Sequence, residues 1–397
     1  MLQAPQKIYT YIHIKQRASC LGDLLIDLEV GFMPIGKKVD LSEAEIEYYS
    51  RQIVLSDIGY NGQINLKRAS ACIVGLGGLG SPAALQLAAV GVGHLRLVDH
   101  DVVEMSNLQR QHIYSIKYLG YPKVEAAAIR LKELNPNIEV EPLPLSINQH
   151  NVKSIIDGVD VVIDGLDRMS TRYLINRACQ KLGVPYIYGA AIMTMGNAST
   201  IMPGETPCLE CFQGGIDDGL LPSCAVVGVH PSILSIIASI EVSEAVRVIT
   251  GRKPLLAGRL LYCDIREMIF EAIKISKAEN CPVCGSSPSP PKPIEEKFIT
   301  ELCGREGKRV FLIAPKKNLN IRMDKLASLM ANLENFDVKV KANMGITFTD
   351  QANNRTISIL KSGIMIADNF GDEEEVYEFY RKILVDGLGI NASEIEL

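Results

Sequence analysis

Two groups of residues in this chain have the types and spacing to do chemistry. The first is built on glycine. Gly75, Gly77 and Gly80 stand in a Gly-x-Gly-x-x-Gly pattern with Gly78 inside it, and Asp99 follows about 20 residues on. Glycines so spaced let the backbone approach a phosphate, and a helix starting there offers its free N–H groups to the same anion. An acid at that distance is placed to take ribose hydroxyls. Alone, the pattern says nucleotide and leaves a nicotinamide cofactor and ATP both open. The charges around it suit ATP better. Arg51, Lys123 and Arg110 (within Ser106-Asn-Leu-Gln-Arg-Gln111) supply cations, and Asp99, Asp101 and Asp167 supply acids. A triphosphate carries more charge than a pyrophosphate, and its Mg²⁺ needs a carboxylate. Plainer readings stand beside these: a surface ion pair for Arg110, a solvated side chain for Lys123, a helix cap for Asp167.

The second group is cysteine. Cys208-Leu-Glu-Cys211 and Cys281-Pro-Val-Cys284 are two Cys-x-x-Cys pairs in turn contexts. Four thiolates from two tight turns make a closed tetrahedral zinc site with no open position for catalysis. The pairs lie farther apart than in a usual zinc ribbon, so the metal would staple a long excursion to its domain. Four unrelated buried thiols is the alternative. Cys224 stands apart, in Leu221-Pro-Ser-Cys-Ala225 after a Gly-rich acidic stretch. A helix start ahead of Ala225 would lower its pKa and make it a nucleophile; a plain buried thiol is the alternative. Cys72 and Cys179 fall in apolar patterns and read as core. Neither His112 nor His230 has a third group to make it a catalytic base, so both are expected to pack or to bond backbone.

These residues need a frame. An apolar run over residues 72–74 stops at Gly75, a helix pattern covers 82–90, and a second apolar run over 94–99 ends in the acid. A helix over 124–134 is stopped by Asn135-Pro136. Residues 138–145, 159–164 and 185–189 read as strands, 151–156 and 171–182 as helices. Strands and helices alternating in this way predict an α/β fold with a doubly wound parallel sheet. Residues 196–202 and 260–264 add strands around the cysteine pairs. The most apolar window, 225–242, contains His230, Pro231 and Glu241, which makes it a buried or interface helix rather than a membrane span. Near residue 41 a helix begins, with Ser42 and Glu45 as its capping box.

The chain divides by composition. Residues 1–40 are an N-terminal extension of unknown role, with a lone strand pattern over 9–14 and an alternative start at Met33. Residues 41–284 form the nucleotide-binding domain with its zinc site, and 285–296 a Pro/Ser linker. Residues 297–397 form a small α+β domain, with strands over 309–313, 338–341, 346–349 and 357–366 and helices over 323–333 and 373–384. It carries no catalytic constellation and reads as a binding module. A net charge of −5 leaves no footprint for nucleic acid. Ten cysteines in 397 residues are too few for a disulfide scaffold, and the two Cys-x-x-Cys pairs favour metal in a reducing compartment. With no secretory signal and no membrane span, the chain is expected in the cytoplasm.

Arg51-Gln52, the glycine loop, Val98-Asp99-His-Asp101, the Ser106 to Gln111 stretch, Pro122-Lys123, Asp164-Gly-Leu-Asp167, both cysteine pairs and Cys224 occur together and in this order. Over residues 41–285 the chain resembles the E1-like, ThiF-type superfamily of ubiquitin-activating enzymes. Its layout is close to that of the adenylyltransferases of sulfur-carrier proteins in molybdopterin and thiamine synthesis. The resemblance implies a Rossmann-like sheet with a structural zinc site, and a reaction in which ATP with Mg²⁺ adenylates the C-terminal glycine of a small β-grasp protein. It implies that Asp99 holds the ribose and that Gly78 lies against the nucleotide, with Gly75, Gly77 and Asp101 in the same site. Asn107, Arg110 and Lys123 would bind phosphates, and Asp167 would hold Mg²⁺. Arg51 would reach the ATP site of a second copy, which implies a homodimer. Cys224 matches the cysteine that takes the acyl group as a thioester or takes part in sulfur transfer.

Two residues depart from the family pattern: Tyr48 stands where relatives often have Arg, and Arg168 where an Asn follows the magnesium acid. The C-terminal domain is not a rhodanese domain. It is loosely similar to the ubiquitin-fold domain that recruits E2-like conjugating enzymes, which tilts the expectation toward ubiquitin-like conjugation. A sulfur-carrier adenylyltransferase is the alternative within the class. An NAD-dependent oxidoreductase is the remote one, and it leaves Arg110, Lys123 and Asp167 unexplained.

Overall fold

The computed structural model describes residues 10–17, 25–32, 41–221, 224–294, 296–302 and 309–395, without the side chains of 10–32, 220 and 224–225. Met33 lies outside the described residues. Strand β1 (Thr10–Arg17) pairs antiparallel with β2 (Leu25–Phe32) along its whole length, so the strand expected over 9–14 has a partner that the sequence reading did not find. Helix α1 (Glu43–Tyr48) starts at the capping box: the Ser42 hydroxyl accepts the Glu45 N–H at 3.2 Å, and the Glu45 carboxylate accepts the Ser42 N–H at 2.8 Å. Short α2 (Ser50–Ile53) and α3 (Gly59–Arg68) lead into the sheet.

The doubly wound part runs β3 (Ser70–Val74), α4 (Gly80–Val90), β4 (His94–Val98), α5 (Lys123–Leu134), β5 (Glu139–Leu143), α6 (Val152–Ile156), β6 (Val161–Asp164), α7 (Met169–Leu182) and β7 (Tyr186–Ile192). Then β8 (Met195–Ile201), α8 (Leu209–Phe212), α9 (Cys224–Val227), α10 (Pro231–Ile249), β9 (Arg259–Asp264) and β10 (Ile269–Lys274) follow. The sheet order is β10-β9-β8-β7-β6-β3-β4-β5. The five strands from β7 to β5 are parallel and the rest antiparallel. Chain order reverses between β3 and β6, and ligands of such sheets gather at the carboxyl ends there.

Residues 71–74 are all buried, because helices cover both faces of the sheet; a strand buried on both faces reads as one apolar run. Leu87, Leu95 and Leu131 pack on one face with Ala238 of α10, and Ile155, Ile175 and Tyr186 on the other. Strand β10 had no counterpart in the sequence reading. It is an edge strand with Ile269, Phe270 and Ile273 exposed, so its pattern carries no core alternation. The apolar window 225–242 is two helices, split at Gly228 with φ +79°. His230 caps α10, its Nδ1 accepting the Ser232 N–H at 3.2 Å. No helix among the described residues is long and apolar enough to cross a membrane.

The C-terminal domain holds β11 (Ile299–Leu302), β12 (Val310–Ile313), α11 (Met323–Ala331), β13 (Phe336–Lys341), β14 (Gly345–Asp350), β15 (Arg355–Leu360), β16 (Met365–Asp368), α12 (Glu373–Arg381) and α13 (Ala392–Ile395). Its sheet, ordered β11-β12-β16-β15-β14-β13, is antiparallel throughout. The single strand expected over 357–366 is a hairpin, turned at Gly363 with φ +95°. Apolar residues flank the turn closely enough to mask it. Helices α11 and α12 cover one sheet face, where Tyr380 of α12 joins Phe311 and Phe348 of the sheet in one core.

Glu241 on α10 is fully buried, and neither carboxyl oxygen has a hydrogen-bond partner. Gly189 makes its room: a Cβ there would stand 2.4 Å from the Glu241 Oε1. Burial, with Asp164 nearby, pushes this carboxyl well above its ordinary range. The folded chain therefore holds it neutral, while the unfolded chain ionises it near pH 4.3. A carboxyl raised on folding costs stability as pH climbs from its unfolded pKa toward its folded one. Glu241→Met removes the charge and the orphaned oxygens at similar volume. It is expected to raise the unfolding free energy at neutral pH by about 1–3 kcal/mol and to flatten the fall of Tm on the alkaline side. Denaturant titrations across that pH range decide it; a variant no more stable than the parent contradicts the reading.

Candidate active site and cysteine cluster

The four glycines of the loop do different work. Gly75 has φ +85°, and a Cβ on it would meet the Gly165 oxygen at 2.5 Å. A Cβ on Gly80 would fall 1.8 Å from the Gly75 oxygen, and one on Gly78 would fall 2.6 Å from a Leu234 methyl of α10. These three are glycine because protein fills the space. Gly77 is different, since its nearest neighbour would be 3.9 Å away. The room over Gly77 is the cradle a nucleotide would fill. Beside it stands Gln111, only 3% exposed, with its Oε1 lacking any partner. Its Nε2 would lie 4.0 Å from a Cβ on Gly77. The sequence reading gave Gln111 no role of its own; the signal was its place closing the Ser106 to Gln111 stretch. From below, the Tyr114 hydroxyl donates to the Leu76 carbonyl at 3.1 Å and pins the loop.

Asp99 stands at the end of β4 and is tied to the loop. Its Oδ2 accepts the Leu76 N–H at 2.6 Å and its Oδ1 the Asp101 N–H at 2.8 Å, which leaves lone pairs for hydroxyl donors. Asp101 and Lys123 are bound to each other, Nζ to Oδ2 at 2.5 Å. Burial opposes both charges, but the pair prevails: Lys123 holds the Asp101 carboxyl below its ordinary range, and Asp101 holds the Lys123 amine above its own. Lys123 is 5% exposed, so the solvated reading is overturned. Asn107 is buried, its Oδ1 accepting the Glu104 N–H at 3.1 Å. Arg110 is half-buried and donates to the Ser106 carbonyl at 2.8 Å.

Across the switch point, Asp164 is structural. Its carboxylate accepts from Leu166 N, Arg172 Nε and the Tyr186 hydroxyl at 2.9, 2.9 and 2.6 Å, which fixes the turn that presents Asp167. Asp167 and Arg168 are exposed there. Asp167 does not cap α7. Asp218 does, from a distant loop: its carboxylate accepts the Met169 N–H at 2.5 Å, the Ser170 N–H at 3.1 Å and the Ser170 hydroxyl at 2.6 Å. Arg51 lies exposed on α2, outside this set, and the Tyr48 hydroxyl donates to the Leu134 carbonyl at 3.0 Å. Cys224 opens α9; its side chain lies outside the described residues.

The four paired cysteines do converge. All four sulfurs lie within 4.8 Å of one another, with Cys208 to Cys281 at 3.5 Å and Cys211 to Cys284 at 3.3 Å. A tetrahedral thiolate site with metal–sulfur bonds of about 2.3 Å needs sulfurs about 3.8 Å apart, so the donor set fits zinc. Burial pushes the Cys208 thiol far up and the Cys211 thiol to about 11, so a bound cation would have to displace their protons. The knuckle carrying Cys208 is anchored on α7, where Arg177 grips Glu210 through two bonds of 2.9 Å and Asn176 accepts the Leu209 N–H at 3.0 Å. Cys72 and Cys179 are core, as expected.

Gly77→Ala separates folding from nucleotide binding. The new methyl meets no protein atom closely, so Tm is expected to move by no more than about 2 °C. ATP affinity is expected to fall at least about tenfold as the methyl enters the cradle. Equal affinity in parent and variant, by calorimetry, would place the nucleotide elsewhere.

Comparison with known proteins bears on the whole arrangement. Residues 49–283 match the ThiF family. The SAMP-activating enzyme E1 of Haloferax volcanii is 40% identical over 248 residues, covering 62% of this chain and 92% of that protein. The adenylyltransferase and sulfurtransferase MOCS3 of Drosophila sechellia is 42% identical over 268 residues, covering 67% of this chain; the chain spans only 57% of that protein's length. Among solved structures, E. coli MccB with ATP superposes with a TM-score of 0.55 at 23% identity, over 63% of this chain and 77% of that one, a likeness of fold alone. The chain belongs to the ThiF family.

Proposed function

We propose that this protein is an E1-like adenylating enzyme that spends ATP to activate the C-terminal glycine of a ubiquitin-like or sulfur-carrier protein. What carries the reading is the convergence at the switch point of an open cradle over Gly77, the orphaned Gln111 oxygen, Asp99 and the Asp101–Lys123 pair. Relatives named as an activating enzyme and an adenylyltransferase support it. In the reaction a carboxylate oxygen of the partner attacks the α-phosphorus. A new P–O bond forms, the bond to the bridging oxygen breaks, and pyrophosphate leaves with the electron pair. The attacking carboxylate is already ionised at neutral pH, so no general base is needed. The protein contributes position and charge neutralisation.

In this proposal Asp99 holds the ribose and the Gly75, Gly77 and Gly78 backbone faces the nucleotide. Asn107, Arg110 and Lys123 meet the phosphates. Asp167 would hold Mg²⁺, which would offset triphosphate charge. Its exposed position, with the capping of α7 left to Asp218, supports that role. The Cys224 thiol, its proton lost to water, then attacks the acyl carbonyl; a C–S bond forms, the acyl C–O bond to the phosphate breaks, and AMP leaves with that electron pair, giving a thioester. The exposure of Arg51 on α2 supports a homodimer in which it reaches the second copy's site. An E2-like partner at the C-terminal domain and a cytoplasmic setting complete the proposal. A second reading, in which adenylation serves sulfur transfer, is favoured by the similarity to MOCS3.

Pyrophosphate exchange with ATP, Mg²⁺ and candidate partners tests the first step. Asp167→Ala is expected to lose at least about a hundredfold in exchange rate. Full activity in that variant refutes the assignment. A non-reducing gel of the same mixtures, with Cys224→Ala beside the parent, separates the readings: a thiol-sensitive adduct on the parent alone supports thioester transfer, and its absence with exchange intact supports the sulfur-carrier reading.

Zinc in the four-cysteine cluster is structural in this proposal. Metal analysis is expected to find about one zinc per chain, with Cys211→Ser losing it and Tm falling by more than about 5 °C. An unchanged Tm after complete metal removal excludes that role.

A further inference from the structure

The C-terminal domain lies beyond the residues matched by the ThiF family, yet it is seated against the nucleotide site. The contact is with a small two-segment ladder. Val103 N–H donates to the Tyr121 carbonyl, Gly120 N–H to the Val103 carbonyl and Lys123 N–H to the Asp101 carbonyl, each at 2.9 Å. Val102 and Pro122 pair as a bridge between them. One side of this ladder carries the Asp101–Lys123 ion pair. The C-terminal sheet covers the other.

The cover is specific. Glu125, in the first turn of α5 and 7% exposed, accepts the Asn343 N–H at 2.9 Å and the Met344 N–H at 2.8 Å through its two carboxylate oxygens. The Thr347 hydroxyl donates to the Gly120 carbonyl at 2.7 Å. Val102 is packed among Leu312, Leu360, Ile364 and Ile366 of the outer sheet face. The fit is backbone-close: a Cβ on Gly345 would stand 2.8 Å from Pro122. A carboxylate that accepts two N–H groups at a buried seam holds position as well as energy, because both directions are fixed.

We infer that the C-terminal domain is a brace of the nucleotide site, and that Glu125 and Thr347 are positioning residues that hold the ladder from outside so that Lys123 and Asp101 meet the triphosphate in register. The inference rests on the ATP site proposed above. It differs from partner recruitment, because it acts on every turnover with the chain alone.

The test uses the full chain. Glu125→Ala cuts the clamp from the family domain, and Thr347→Val from the C-terminal side. Asn148→Ala is the control: it removes a 3.2 Å bond to the Lys316 carbonyl elsewhere on the seam, together with the local bonds its side-chain oxygen accepts from the His150 and Asn151 N–H groups, with no link to the ladder. Amide exchange at Val102, Val103 and Lys123 without nucleotide is expected to quicken at least about tenfold in Glu125→Ala and less in Thr347→Val. The Kd for ATP, and with it the KM for ATP in pyrophosphate exchange, is expected to rise about tenfold in Glu125→Ala and about threefold in Thr347→Val, with kcat changed by less than about twofold. Should Glu125→Ala not fold, Thr347→Val carries the test. Unchanged ladder exchange, unchanged ATP affinity, or equal losses in Asn148→Ala overturn the inference. A parent that binds ATP but exchanges no pyrophosphate overturns the adenylation reading instead, and the Kd comparison still judges the brace.

Discussion

Three glycine backbones cross where no side chain fits. A Cβ on Gly165 would stand 2.2 Å from the Gly75 oxygen and 2.9 Å from the Gly80 Cα, one on Gly80 would stand 1.8 Å from the Gly75 oxygen, and one on Gly75 2.5 Å from the Gly165 oxygen. The Gly75–Gly165 contact lets the turn after β3 lie directly on the end of β6. It closes the switch point of the sheet into one compact floor. The start of α4, the end of β4 with Asp99 and the turn with Asp167 are all referred to that floor. A methyl at any of the three positions would push the strand ends apart, and backbone on both sides leaves nothing flexible to yield. The geometry of the nucleotide site therefore rests on absent atoms as much as on present ones.

Charge is handled in the same neighbourhood by pairing rather than by exposure. Lys123 is buried and would be costly as an isolated cation. Asp101 neutralises it at 2.5 Å, and the Asp101 Oδ1 also accepts the Val102 N–H at 2.9 Å. The pair presents little net charge, and in the proposed reaction an incoming phosphate would compete for the ammonium. Such a site holds its cation ready without asking the fold to bear the full desolvation of an unpaired one.

Much of this was legible in the sequence. The glycine spacing, the acid after β4 and the two cysteine pairs are local patterns whose chemistry dictates their geometry. The alternation of apolar runs and helix patterns was enough for the doubly wound sheet, because strands buried on both faces announce themselves. What escaped was long-range or two-sided. The capping of α7 by Asp218 joins residues 48 apart in sequence, and no local rule links them. Sequence alone presents Asp101 and Lys123 as separate ligands, since it does not show that the two segments pair. The hairpin at Gly363 was hidden because β15 is buried on both faces, Ile357 and Ile359 toward the helices and Leu360 toward Val102. That second burial exists only because another domain is there.

The cap on α7 has a consequence for reach. Asp218 is fastened beside the Asp167 turn by three hydrogen bonds, and Tyr173 holds the same loop by accepting the Ile216 N–H at 3.0 Å. From position 218 to position 224 the chain has six peptide steps, a contour of about 20 Å at full extension. While that fastening holds, the Cys224 backbone is on a leash whose post stands next to the turn proposed to meet the triphosphate. A tether this short confines the thiol to a volume in which its effective concentration is in the millimolar range or above, whatever path the loop takes. Lengthening the leash would dilute the thiol without touching any residue of the site.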